Sequence, residues 1–97
     1  MFSNNLKTEC GIEIDGPKVC KPKIFKDERG FFLESWNEKV FNEICNLKIS
    51  FVQDNHSHSK QGVIRGLHLQ LNPYSQGKLI RCIKGEIFDV AVDLRHK

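Results

Sequence analysis

Apolar residues in this chain fall into short runs separated by polar turn signals, and only one stretch keeps helical spacing. Lys23-Ile24-Phe25 and Phe31-Phe32-Leu33-Glu34-Ser35 flank Asp27-Glu28-Arg29-Gly30. Acidic residues followed by glycine favour a tight turn, so the pattern predicts two strands joined there. Ser35-Trp36-Asn37-Glu38 has the Ser-to-Glu spacing of a capping box. Behind it Val40, Phe41, Ile44 and Cys45 share one helical face, which predicts a short amphipathic helix ending near Asn46. After Leu47 the period becomes that of strands, predicted over Ile49–Gln53, Val63–Leu71, Lys78–Ile83 and Glu86–Leu94. Lys84-Gly85 is a two-residue hairpin turn between the last two. In the last strand Phe88, Val90, Val92 and Leu94 share one face, and Ile87, Asp89, Ala91 and Asp93 the other. Met1 to Gly16 is polar and weakly patterned, and is expected to form an edge strand or a loose arm.

This succession predicts a mainly β fold: antiparallel strands with one short helix, arranged as a sandwich, jelly roll or barrel. Four or five strands and one helix do not close a barrel, and an open sheet leaves apolar edges exposed. The expectation is therefore an incomplete fold, either a fragment or a core completed by another chain.

Composition narrows the classes. A chain of 97 residues has room for one domain, taken as residues 1–97, with a modest core. Its 39% hydrophobic and 28% charged content are those of a globular domain. The net charge of +3 is small, and basic residues alternate with acids, as in Lys26-Asp27-Glu28-Arg29, so no nucleic-acid face is expected. The four cysteines include no CxxC pair and no metal-ligand spacing. Cys45 and Cys82 sit among apolar residues and read as buried small hydrophobes. Cys10 and Cys20 bracket a polar segment, a bridge between them being the less favoured alternative to free thiols. The start lacks the pattern of a signal peptide, and no apolar run reaches bilayer length, so a cytoplasmic setting without membrane partners is expected.

The candidate chemistry lies in two of the predicted strands. Gly62-Val63-Ile64-Arg65-Gly66-Leu67-His68-Leu69-Gln70 places a histidine and an arginine inside an apolar run. In a regular strand His68 shares a face with Ile64, Gly66 and Gln70, while Arg65 points the other way. A bulge at Gly66 would bring Arg65 and His68 to one side. His68 reads either as a general base, its ordinary pKa lying near neutrality, or as a hydrogen-bonded core residue. Arg65 reads as a salt-bridge partner or, in a concave site, as a bidentate phosphate ligand. Lys78 opens the next strand, as a solvated strand end or as a cation stabilising an enolate oxygen. Asp89, on the adjacent strand, is placed to pair with Lys78 or to face solvent. Gln53-Asp54-Asn55 offers three hydrogen-bonding side chains at a strand end, explained by a turn or by ligand recognition. His56-Ser57-His58 has strand-spaced imidazoles but no following glutamate, so a polar loop is expected there and no metal site. Arg29 and Glu34 flank the first turn as surface charges.

Taken together, these segments closely resemble the dTDP-4-dehydrorhamnose 3,5-epimerase family. The resemblance rests on Asp27-Glu28-Arg29-Gly30-Phe31-Phe32-Leu33-Glu34-Ser35, Phe51-Val52-Gln53-Asp54-Asn55-His56-Ser57, Arg65-Gly66-Leu67-His68-Leu69-Gln70, Gln76-Gly77-Lys78-Leu79-Ile80-Arg81 and Gly85-Glu86-Ile87-Phe88-Asp89-Val90-Ala91-Val92-Asp93-Leu94-Arg95. It covers roughly Pro22 to Lys97.

The resemblance implies a cupin-type jelly roll, a homodimer, and epimerisation at C3 and C5 of a dTDP-4-keto-6-deoxy sugar. His68 then matches the general base and Lys78 the residue near the C4 oxygen. Arg65 matches a diphosphate contact, Gln53, Asp54 and Asn55 a substrate-lining segment, and Arg29 and Glu34 nucleotide contacts made across the dimer. No metal and no redox cofactor are implied, because the substrate's own ketone acidifies both carbons. Family chains are nearly twice this length. Their general-acid tyrosine, and the carboxylate that orients the base, lie in the half without a counterpart here; Tyr74 does not match that acid. The 97-residue chain alone is accordingly expected to be weak or inactive. The other readings are a nucleotide-sugar epimerase acting at one centre, and a non-catalytic fragment that binds dTDP or dimerises.

Overall fold

The turn at Asp27-Glu28-Arg29-Gly30 forms as expected. β3 (Ile24–Asp27) and β4 (Gly30–Leu33) pair antiparallel, with Ile24 opposite Leu33 and Asp27 opposite Gly30. Here β1 (Phe2–Lys7) and β2 (Glu13–Lys21) precede them, and α1 (Glu38–Cys45) follows. The Asp27 carboxylate accepts from the Arg29 N–H at 2.8 Å, closing the two-residue turn. Gly30 takes φ +135°, where a side chain would be strained.

This computed structural model describes residues 1–95; Arg95 is the last, so the ends of the expected domain and of the resemblance, at residue 97, lie outside it. The described chain falls into two units, Met1–Ser57 and a second beginning at His58.

In the first unit the N-terminal segment is not a loose arm but a strand at the edge of a two-stranded sheet. β1 and β2 form an antiparallel hairpin. Asn5 lies opposite Lys18, whose ammonium donates to the Asn5 side-chain oxygen at 2.9 Å. Lys21, opposite Phe2, lies 5.9 Å from its ring centroid. Such cross-strand pairs hold register where apolar alternation is weak. The register shifts between Asn5 and Leu6, whose partners are Lys18 and Ile14. The extra residues on β2 include Gly16 and Pro17, and a bulge is where a strand tolerates a proline without an N–H.

α1 runs over the predicted residues but starts differently. Its cap is Asn37, not Ser35: the Asn37 side-chain oxygen accepts from the Val40 N–H at 3.1 Å, the usual reach of an N-cap. At the other end Asn46 is left-handed, Leu47 donates to the Asn42 carbonyl at 2.9 Å and Asn46 to that of Glu43 at 3.4 Å. That pair of bonds is a Schellman stop with asparagine in the glycine position.

The core of this unit is small. Phe41 and Cys45, at 6% and 4% exposure, are the buried apolar residues among those described. Trp36 packs on Phe41 and Phe51 at 5.0 and 5.2 Å between centroids, the second edge-on. The predicted strand Ile49–Gln53 does not form. Asn42 instead donates to the Ile49 carbonyl at 2.8 Å and accepts from its N–H at 3.1 Å, while Phe51 joins the aromatic cluster. The helix thus takes up both backbone groups of Ile49 and the Phe51 ring, while Val52 stays 93% exposed.

The predicted strands Val63–Leu71, Lys78–Ile83 and Glu86–Leu94 are likewise not paired among the described residues. Turns remain, with Val63 donating to the Lys60 carbonyl at 3.3 Å and Tyr74 to that of Leu71 at 2.8 Å. A bend falls at Lys84-Gly85, with Gly85 at φ +82°, but no hairpin flanks it. Ile64 and Phe88 are both 91% exposed, and Cys82, expected to be buried, is exposed too. A strand owes its ladder to a neighbour and its apolar face to a second layer, and hairpins lacking that layer are marginal in water. The fold is thus mainly β with one short helix, in two two-stranded sheets.

Candidate functional site

In the first unit the candidate residues lie on the β3–β4 turn and just beyond the aromatic cluster. The Arg29 guanidinium is turned onto Asp27, with Nη2 at 2.7 Å and Nε at 3.2 Å from the same carboxylate oxygen. The Arg29 side chain is 90% exposed, so the pair fixes a geometry more than it adds stability. The Arg29 guanidinium, then its N–H, hold the Asp27 carboxyl below the usual carboxylate range. Glu34 is exposed, one residue past β4. Sequence reasoning named Arg29 but missed Asp27 as its anchor; the readable signal was an Asp and an Arg two apart in a predicted turn.

Gln53, Asp54 and Asn55 are exposed, and the Gln53 amide donates to the Asn55 side-chain oxygen at 3.3 Å. Their approach is fixed upstream, at Ile49 by Asn42 and at Phe51 by Trp36 and Phe41. No local pattern in the sequence marks Asn42 for that task. His56 is exposed, as is His58 in the second unit, and no group of three His, Cys, Asp or Glu among the described residues could hold a metal ion.

In the second unit Arg65, His68 and Lys78 are all exposed. Arg65 Nε donates to the Ser59 hydroxyl at 3.0 Å, a partner the sequence reading did not propose. His68 turns back on Gly66: a Cβ built at Gly66 would stand 3.3 Å from His68 Nδ1 and 3.7 Å from Cε1. With φ at +108°, Gly66 breaks the regular strand, but without a ladder there is no bulge. Of the two alternatives for Asp89, facing solvent is the one found: it is exposed, and the ion pairs among the described residues, Arg29–Asp27 and Arg95–Asp93, do not include a Lys78–Asp89 pair. Such a pairing needs a ladder to set residue 78 beside residue 89, and that ladder is absent. Within this unit the His68 imidazole, the Arg65 guanidinium and the Lys78 ammonium are exposed, and no hydrogen bond or ion pair among the described residues joins His68 to Lys78.

A family model described as dTDP-4-dehydrorhamnose 3,5-epimerase matches residues 11–97, beginning earlier than the expected start near Pro22. A protein of that name from Shigella flexneri is 60% identical over 92 residues, 95% of this chain and 49% of its own length. Its counterpart in Salmonella typhimurium is 58% identical over 77 residues, 79% of this chain and 42% of its own. The one in Methanothermobacter thermautotrophicus is 55% identical over 82 residues, 84% of this chain and 43% of its own. The chain thus spans about half the length of the curated relatives it matches. No solved structure matches it.

Proposed function

The chain belongs to the dTDP-4-dehydrorhamnose 3,5-epimerase family, and we propose that its residues supply the base side of that epimerisation on a dTDP-4-keto-6-deoxy sugar. The family match carries this reading, because residues 11–97 include every residue assigned a role. The C4 ketone makes the protons at C3 and C5 acidic. His68 removes each in turn as general base. Lys78 sets its ammonium near the C4 oxygen, where negative charge develops in the enolate. Arg65 takes the diphosphate with its fork, Gln53, Asp54 and Asn55 line the sugar, and Arg29 and Glu34 contact the nucleotide. The ketone supplies the acidity, so these steps call for neither metal nor redox cofactor. Inversion further requires a proton delivered to the opposite face of the ring, which none of these residues is assigned to do.

The same proposal takes the working form to be a cytoplasmic homodimer with a cupin-type jelly roll, in which the apolar positions of residues 63–94 gain the second layer they lack here. Among the described residues no helix is long and apolar enough to cross a membrane.

The test follows solvent deuterium into C3 and C5 of dTDP-4-keto-6-deoxyglucose, with dTDP calorimetry alongside. Exchange that needs His68 is expected, and is slow in the 97-residue chain because the exposed Lys78 acts through water, where a charge stabilises little. Exchange unchanged by His68→Asn would overturn the base assignment. Exposure of every candidate side chain favours one second reading, a module that binds dTDP without chemistry; heat of binding with no exchange would select it.

A further inference from the structure

We propose that Cys20 and Cys45 are a redox pair that closes to a disulfide between β2 and α1 on reaction with a low-molecular-weight disulfide. Their sulfurs lie 3.8 Å apart, from strand to helix, across 25 positions of sequence. A bonded pair stands about 2.0 Å apart, a gap closed by side-chain rotation and a small backbone adjustment. A second contact holds the two elements together. Ser3 is the cross-strand partner of Cys20, and its hydroxyl donates to the carbonyl of Ile44, next to Cys45, at 3.5 Å. The same face of the hairpin therefore lies on the last turn of the helix at two places. The other cysteines are placed elsewhere. Cys10 is exposed and contacts the Thr8 hydroxyl at 3.2 Å, and Cys82 belongs to the second unit.

Exposure sets the order of events. Cys20 is half-buried and Cys45 is 4% exposed, so the small disulfide meets Cys20 first. The Cys20 thiolate attacks one sulfur of the reagent, forming a mixed disulfide and releasing one thiolate. The Cys45 thiolate then attacks Cys20 Sγ and expels the second. Two protein thiols are oxidised and one small disulfide is reduced to two thiols, which take up the two protons. The new bond ties β2 to α1, restricts the unfolded chain and raises the unfolding temperature.

The experiment equilibrates the 97-residue chain with glutathione buffers from fully reduced to fully oxidised, then quenches, alkylates and weighs it. Cys20 and Cys45 should both be lost to alkylation with no glutathione retained on either, and proteolytic mapping should join Cys20 to Cys45. Cys10→Ser/Cys82→Ser should behave the same way, and oxidation should raise Tm by roughly 10 °C, reversibly. Cys20→Ser, at a half-buried site, should lose both bridge and rise; Cys45→Ala provides the same test with a small residue in the core. Four alkylatable thiols throughout, a bridge to Cys10 or Cys82, a stable glutathione adduct at Cys20, or a Tm rise surviving in Cys20→Ser would each overturn the proposal.

Discussion

The Asn42 side chain closes on the backbone of Ile49 from both sides, donating to its carbonyl at 2.8 Å and accepting from its N–H at 3.1 Å. The clasp turns the chain back along α1 and delivers Phe51 to Trp36 and Phe41. Asn42→Ala should cost the first unit about 2 kcal/mol, the range for two partly buried hydrogen bonds. Asn42→Asp keeps the acceptor but sets a carboxylate against the Ile49 carbonyl, and should cost at least as much. Trp36 is the one tryptophan of the chain, so urea unfolding followed by its emission reads this cluster directly. An unchanged midpoint in both variants would show that the clasp holds nothing.

Gly66 leaves room for His68. Gly66→Ala combines a strained φ of +108° with a Cβ 3.3 Å from His68 Nδ1, so the imidazole must move. The His68 ring resonances should shift while Trp36 emission stays as it was. If His68 is the base, exchange at C3 and C5 should fall, because the imidazole is moved from the place it holds over Gly66.

His68→Asn and Lys78→Met separate binding from chemistry. Each should leave the heat of dTDP binding nearly unchanged while reducing deuterium exchange at both carbons, by about 100-fold or more for a lost base. Exchange at only one of C3 and C5 in the unsubstituted chain would point to an epimerase of one centre.

The Asp27–Arg29 pair predicts a sign of pH dependence. The Asp27 pKa is held below its ordinary value by Arg29, so the pair supports the β3–β4 turn above the ordinary carboxylate pKa. That support is lost as pH falls through the lowered one. Titration of the Asp27 carboxyl by NMR should show the depressed value, and Arg29→Ala should return it toward the ordinary one.

Thiol reactivity should follow environment. Bonds from the Thr8 side chain and then the Ile12 backbone pull the exposed Cys10 thiol down, while burial and the neighbouring Cys45 push Cys20 up. Limited alkylation at neutral pH should label Cys10 well before Cys20. Cys45 should be labelled last, at the rate the unit opens. Equal rates for Cys10 and Cys45 would mean that the helix does not cover its cysteine.

The β3–β4 turn and the end of α1 were legible because each is set by neighbours in sequence: Asp27 bonds the Arg29 N–H, and Asn46 takes the left-handed stop. The helix start was missed by two residues because Ser35 and Asn37 are both capable caps, and only the backbone path shows which oxygen reaches Val40. Ile49–Gln53 has the composition of a strand, yet none forms: the Asn42 side chain takes both backbone groups of Ile49, and Phe51 joins the aromatic cluster. The site residues were singled out from the strand pattern and given their roles by a family pattern, and the geometry places them singly: Arg29 on Asp27, Gln53 on Asn55, Arg65 on Ser59, His68 over Gly66.

The Arg65-to-Gln70 stretch and its neighbours by themselves determined the family, because five ordered motifs are carried in residue identity and need no fold to be read. Sequence likewise determined the local turns, whose bonds close within a few residues. Tertiary structure alone decided that Cys20 meets Cys45, that Asn42 holds Ile49, and that the apolar alternation of residues 63–94 lies exposed without a ladder among the described residues. These depend on what lies across from a residue in space, and a periodic pattern states which face is apolar without naming the surface that covers it.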